Sequence, residues 1–161
     1  MAARMISHVA SDLVLTVPSM SAVEAFHPWG RFGALGRAWK LIRHNGGVKG
    51  LTDFEDQTIS LRIDLTWEER RCTILHETLH AERGPALDSF EEREELRVRK
   101  ETARLLLPDV RVIGEALAWS GCRVREAAEE LGVDTDTLWD RLDHLHPSER
   151  GYLRTRLAEV D

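Results

Sequence analysis

The segment His76-Glu77-Thr78-Leu79-His80 constrains this chain more than any other feature. Two histidines four residues apart share one face of an α-helix, with Cβ atoms about 6 Å apart. The spacing therefore demands a helix here, and the H-E-x-x-H pattern suits two imidazole corners of a tetrahedral zinc site. Glu77 projects about 100° round the helix from His76. From there it reaches a water at the metal without being a ligand itself.

The flanking sequence supplies such a helix. Thr66-Trp67-Glu68-Glu69 reads as a capping box. It predicts a helix through Cys72, Leu75, Leu79 and His80 that ends before Gly84-Pro85. Upstream, Trp39 to His44 and Val48 to Leu51 read as two strands of a hairpin turned by Asn45-Gly46-Gly47. Thr58 to Asp64 alternates, with Ile59, Leu61 and Ile63 on one face of a half-buried strand. Asp12 to Val17 is expected as a strand, Met20 to Phe26 as a short helix, His27-Pro28-Trp29-Gly30 as a loop and Ala34 to Trp39 as a helical turn.

Downstream, Ser89-Phe90-Glu91-Glu92 reads as a second capping box, opening a helix that Pro108 stops after Leu107. Asp109 is expected to cap a helix from Val110 to Trp119. Further helices follow at about Arg123 to Leu131, Asp134 to Leu145 and Pro147 to Val160. The chain thus reads as α+β: a small antiparallel sheet packed on the motif helix, then an all-helical C-terminal part. Residues 1–108 would form a zincin-like metallopeptidase core and 109–161 a helical segment packed on it.

At 161 residues the chain is long enough to bury a core without staples. Its two cysteines, Cys72 and Cys122, make no disulfide framework. No apolar run approaches a membrane span and residues 1–20 lack a secretory h-region, so a cytoplasmic location is expected. The net charge of −6 is uneven. Residues 1–50 carry six basic against two acidic side chains, residues 51–110 nine against fifteen, and residues 111–161 seven against eleven. That profile argues against a broad nucleic-acid surface.

A catalytic zinc takes three protein ligands and keeps one position open. A histidine six residues beyond the motif is excluded as the third, because residue 86 is Ala. A carboxylate from the next helix is the better source. Glu91, Glu92, Glu94 and Glu95 stand near its start. Glu91 and Glu95 project onto its apolar stripe of Val98, Thr102, Leu105 and Leu106. A carboxylate on such a stripe needs a partner, which a metal would supply. Helix geometry leaves both open.

Arg70-Arg71-Cys72-Thr73-Ile74-Leu75-His76-Glu77-Thr78-Leu79-His80 resembles the R-x-T-x-x-H-E-x-x-H core of the ImmA/IrrE metallopeptidases. Glu95 to Val98, followed by Ala103 to Pro108, is similar to that family's E-x-x-A-N-x-F-A-x-x-L-L-x-P helix. The resemblance spans roughly residues 35–145. It implies a zinc peptidase with His76, His80 and Glu95 as ligands, Glu95 being favoured over Glu91, and Glu77 as general base. It also implies a partner. Many members of the family sit on phages and other mobile elements, where they cleave, or promote cleavage of, a helix-turn-helix repressor. Leu79 stands where the family often has Gly, and Arg99 and Glu101 replace its Asn and Phe, which marks a divergent branch.

The mechanism also calls for a group to stabilise the oxyanion. Tyr152, His44 and His27 are the residues to consider, and the sequence assigns none of them. Cys72 shares the His76 face and reads as a small core residue. Arg125 to Arg141 has helix-turn-helix spacing. Its second helix carries Asp134, Asp136, Asp140 and Asp143 against Arg141, which would repel phosphates. It therefore reads as a hairpin that packs on the core or holds a partner, with direct nucleic-acid binding unlikely to be its role. His8, His144 and His146 read as surface residues.

Overall fold

The computed structural model describes residues 26–160. The strand expected at Asp12 to Val17, and the helix from Met20 as far as residue 25, lie outside them. The described chain runs α1 (Pro28–Ala34), β1 (Lys40–His44), β2 (Gly50–Asp53), β3 (Thr58–Arg62), α2 (Trp67–Arg83), α3 (Glu91–Leu106), α4 (Val110–Trp119), α5 (Val124–Leu131), α6 (Thr135–Asp143) and α7 (Pro147–Ala158). It is an α+β fold, and among the described residues no helix is long and apolar enough to cross a membrane.

The sheet is mixed, not antiparallel. Its order is β1-β3-β2, with β1 parallel to β3 and β2 antiparallel to it. β1 and β2 do not pair as the expected hairpin. β3 is the buried strand: its Ile59, Ser60 and Leu61 are all buried while β1 is largely exposed. The buried strand takes the centre, where both edges are paired. Gly46 and Gly47 do adopt the positive φ that a turn requires. The loop they form arches over the end of β3: His44 O accepts from Ile63 N at 3.0 Å and Lys49 O from Arg62 N at 2.9 Å. The tight hairpin is β2–β3, turned where Asp53 Oδ1 accepts from Asp56 N at 2.9 Å. β3 stops at Arg62, which leaves Ile63 exposed.

His27-Pro28-Trp29-Gly30 corrects a second expectation: it opens α1 rather than a loop. Proline at the helix start has its φ preset. Trp29 and Phe32 then pack against Ile59, Leu61, Leu65 and Ile74, where sheet meets α2.

The capping box at Thr66 forms as read: Glu69 N donates to Thr66 Oγ1 at 3.2 Å, and Thr66 N to Glu69 Oε2 at 3.0 Å. The box expected at Ser89 does not form. Asp88–Phe90 is a single 3₁₀ turn, and α3 begins at Glu91 without a side-chain cap. Its acidic first turn complements the helix dipole instead. Asp109 caps α4 and Asp134 caps α6 through their side chains.

α2 is central, and nearly every residue from Arg71 to Leu79 is buried. A helix enclosed on all sides needs no amphipathic stripe. Ile74 meets the sheet cluster. Cys72, Leu75 and Leu79 join Val98, Leu106, Ile113, Leu117, Leu131 and Leu138 in a larger helical cluster. This cluster draws on residues from both sides of Pro108. The α5–α6 turn docks on the start of α2, with Arg71 Nη1 donating to Gly132 O at 2.7 Å and the Trp67 ring against Gly132. Gly132 is left-handed at φ 65°, and a side chain there would press on that ring.

Candidate metal centre

The helical spacing of α2 brings the His76 and His80 rings together, with Nε2 atoms 3.1 Å apart. Glu95 reaches them from the first turns of α3. Its Oε2 lies 3.1 Å from His80 Nε2 and 3.4 Å from His76 Nε2. Two features hold α3 in place for this. Gly84, at φ 79°, ends α2 and lets the chain reverse. Arg83 then clasps α3, with Nη1 3.3 Å from Glu94 Oε1 and Nη2 bonded to Glu101. So His76, His80 and Glu95 converge as the resemblance implies. Glu91, the alternative that helix geometry left open, is no part of the cluster.

The donor spacing can be tested against a real ion. Zinc–nitrogen bonds of about 2.0–2.1 Å at tetrahedral angles set neighbouring donors about 3.4 Å apart. The three separations here, 3.1, 3.1 and 3.4 Å, are close to that edge length. Two neutral imidazoles and one carboxylate are a chemically apt set for such an ion. These residues therefore fit a divalent metal of zinc's size with one coordination position left for another group.

No family model, curated protein or solved structure matches the chain. The functional reading rests on the residues and their geometry.

The three side chains stabilise one another's charged forms. Hydrogen bonds from His76 and His80 hold the Glu95 carboxyl far below its ordinary value. The hydrogen bond to Glu95 raises His80. Glu77 differs: its residue exposure is only 7%, and burial pushes its carboxyl up against the downward pull of His76 and of a hydrogen bond from Thr52. Thr52 Oγ1 lies 2.8 Å from Glu77 Oε2. Glu77 stands beside the donors without being one of them.

A cavity of about 520 Å³ contains His76, Glu77, His80 and Glu95. β2 forms one wall and α6 another, through Asp134, Thr137 and Asp140. Lys49 ties the two walls, its Nζ 3.0 Å from Asp134, 3.1 Å from Asp136 and 3.4 Å from Glu69. Burial works against that charge, yet the two aspartates hold it well above the usual lysine value. Arg99 enters the cavity one helical turn beyond Glu95. Its Nε and Nη2 bond the Asp140 carboxylate, the former at 2.9 Å, which leaves the Nη1 donors uncommitted among the described residues.

Sequence reasoning missed four of these residues. Thr52 sits in a short strand with no distinguishing pattern. Arg99 registered only as a departure from the family helix. Lys49 and Asp140 are brought to the cleft by long-range packing. The acidic run at Asp134 to Asp143 was a visible signal, read as unsuited to DNA, and it supplies a cleft wall. Cys72 is buried, as expected, and burial pushes its thiol up to about 12. Of the oxyanion candidates considered, neither Tyr152, His44 nor His27 lines the cavity.

Proposed function

We propose that the chain is a zinc-dependent endopeptidase, with His76, His80 and Glu95 as metal ligands and Glu77 as general base. The observation that carries this reading is the tetrahedral spacing of three donors beside a buried, non-ligating glutamate. Zinc held there supplies Lewis acidity, polarising a carbonyl and acidifying water. Glu77, next in sequence to His76, takes the attacking water's proton on its carboxylate and passes it to the departing amine. Its raised proton affinity suits both steps. Arg99 is assigned the role that the sequence left open: its uncommitted Nη1 donors meet the charge that develops on the substrate carbonyl oxygen.

A peptide substrate suits the cleft's wall. β2 is an outer strand. Lys49 O faces β3, so by alternation the backbone groups of Gly50 and Thr52 face away from it. Among the described residues that edge is unpaired, and an unpaired edge beside a metal site is a template for an extended chain. The resemblance to the ImmA/IrrE metallopeptidases directs the substrate to a helix-turn-helix repressor of a phage or mobile element.

The test uses the zinc-loaded chain and the helix-turn-helix repressor encoded beside it, followed by gel electrophoresis and mass spectrometry. Cleavage is expected, and Glu77→Gln should abolish it while keeping zinc. A Glu77→Gln protein that still relieves repression would instead identify a non-catalytic anti-repressor that sequesters its partner. Zinc retained undiminished by His76→Ala would overturn the site.

A further inference from the structure

We infer that Gly50 and Thr52 of β2 are positioning residues for Glu77: the hydroxyl holds one carboxylate oxygen and the missing side chain makes room for the other. This rests on the peptidase reading above for its catalytic consequence, though the contact itself stands apart from it.

Two independent observations converge. The first is a hydrogen bond. Thr52 Oγ1 lies 2.8 Å from Glu77 Oε2 and 3.1 Å from the Glu77 carbonyl oxygen. A hydroxyl has one proton, and it goes to the nearer, charged acceptor. The carboxylate is buried, so an oxygen with no donor would carry a desolvation penalty. Thr52 relieves that penalty and fixes the rotation of the group.

The second is a space. A Cβ on Gly50 would lie 2.6 Å from Glu77 Oε1, 2.8 Å from Glu77 Cγ and 2.4 Å from Thr73 Cγ2. Gly50 is not in the left-handed region, so its backbone would accept any residue. Glycine is required here by the close approach of β2 to α2, not by φ. Thr73 and Glu77 are four apart on α2, and the bare backbone of Gly50 lies against both. With Oε2 held by Thr52, Oε1 is the oxygen left for the proton, and it is seated in the space that the absent Gly50 side chain leaves. The G-x-T spacing follows from the strand: residues two apart present the same face.

Two measurements on the full chain test this. In the metal-free protein carrying ¹³C-labelled glutamate, the Glu77 carboxyl resonance, assigned by its loss in Glu77→Gln, should move in Thr52→Val and return in Thr52→Ser. In the zinc-loaded protein, cleavage of the helix-turn-helix repressor encoded beside it should show kcat falling roughly 10- to 100-fold in Thr52→Val and in Gly50→Ala, with KM little changed. Thr52→Ser should restore kcat to within about threefold of the parent. Zinc content and melting temperature, measured alongside, separate mispositioning from unfolding. Parent-like kcat in Thr52→Val, or no rescue by serine, overturns the inference. If the parent cleaves no better than Glu77→Gln, the peptidase reading fails, and the resonance decides the contact alone: an unmoved Glu77 signal in Thr52→Val overturns it.

Discussion

Glu95→Ala, set against Glu91→Ala, gives the sharpest test of the metal cluster. The two glutamates lie one helical turn apart at the start of α3, and both share the face that sequence geometry selected. Only Glu95 comes within reach of the histidine Nε2 atoms, at 3.1 and 3.4 Å. A tetrahedral zinc site binds with about 10–16 kcal/mol over four ligands, so one donor carries about 3 kcal/mol and its loss raises Kd on the order of 100-fold. At free zinc 100 times the parent Kd, zinc stabilises the parent by about 2.7 kcal/mol. For a chain of this size that is a rise in Tm of about 5–10 °C. In Glu95→Ala the Kd then nears the zinc concentration, and the gain shrinks to about 0.4 kcal/mol, or about 1 °C. Glu91→Ala should keep the full rise. The assay is thermal melting with zinc and with chelator, plus competition against a chromophoric chelator. Comparing the two conditions within each variant cancels any change in metal-free stability. A Glu95→Ala protein that keeps the parent's zinc-induced rise, or a Glu91→Ala protein that loses it, refutes the ligand assignment.

Arg99→Met should lower kcat for the cleaved repressor about 100-fold while zinc content stays at the parent level; steady-state kinetics with unchanged kcat would remove Arg99 from the oxyanion role. Leu79→Gly, which restores the residue common in the ImmA/IrrE motif, should be costly here. Leu79 is 1% exposed in the main cluster, so cavity and helix propensity together cost about 3–5 kcal/mol. Denaturant titration reads that loss. Glu149→Gln probes α6 against α7. Arg141, 2% exposed, holds the Glu149 carboxyl down at about 2 from 4.5. The folded value lies below the unfolded one, so this stabilisation is full above about pH 4.5 and is lost as pH falls toward 2. Allowing for partial solvent screening, the variant should lose about 2–3 kcal/mol at neutral pH and show a flatter acid limb in pH-dependent unfolding.

Local chemistry made much of this architecture legible. Thr66 and Asp109 open helices and Pro108 stops one through interactions confined to a few residues, and the structure follows them closely. His76, His80 and Glu77 were visible because helix spacing fixes their relation. Choosing Glu95 over Glu91 needed the resemblance or the fold, since both lie on the same stripe and only the crossing of α2 with α3 separates them. The mixed sheet was not legible. Asn45-Gly46-Gly47 has the backbone of a turn, but which strands pair is decided by the burial of β3, a property of the whole sheet. Ser89 shows the same limit: a capping pattern is necessary for a side-chain cap, and the 3₁₀ turn at Asp88–Phe90 took its place. The cleft walls at Thr52, Lys49 and Asp140 depend on contacts between distant segments, for which a single sequence carries no local signal.

The insertion of β3 between two earlier strands also sets an order of assembly. As the chain leaves the ribosome, β1 and β2 emerge first, and the strand that joins them among the described residues comes after both. The sheet closes only once Arg62 has appeared. The β2–β3 hairpin closes through a short local turn, whereas β1 must return across the intervening hairpin, so the hairpin is the expected early unit. α2 follows it directly in the chain. Thr52, Glu77 and both histidines therefore belong to one contiguous stretch, Gly50 to Arg83, that leaves the ribosome ahead of Glu95 and of every residue of α6. In a newborn chain, the glutamate's support emerges before the third donor that completes the metal cluster.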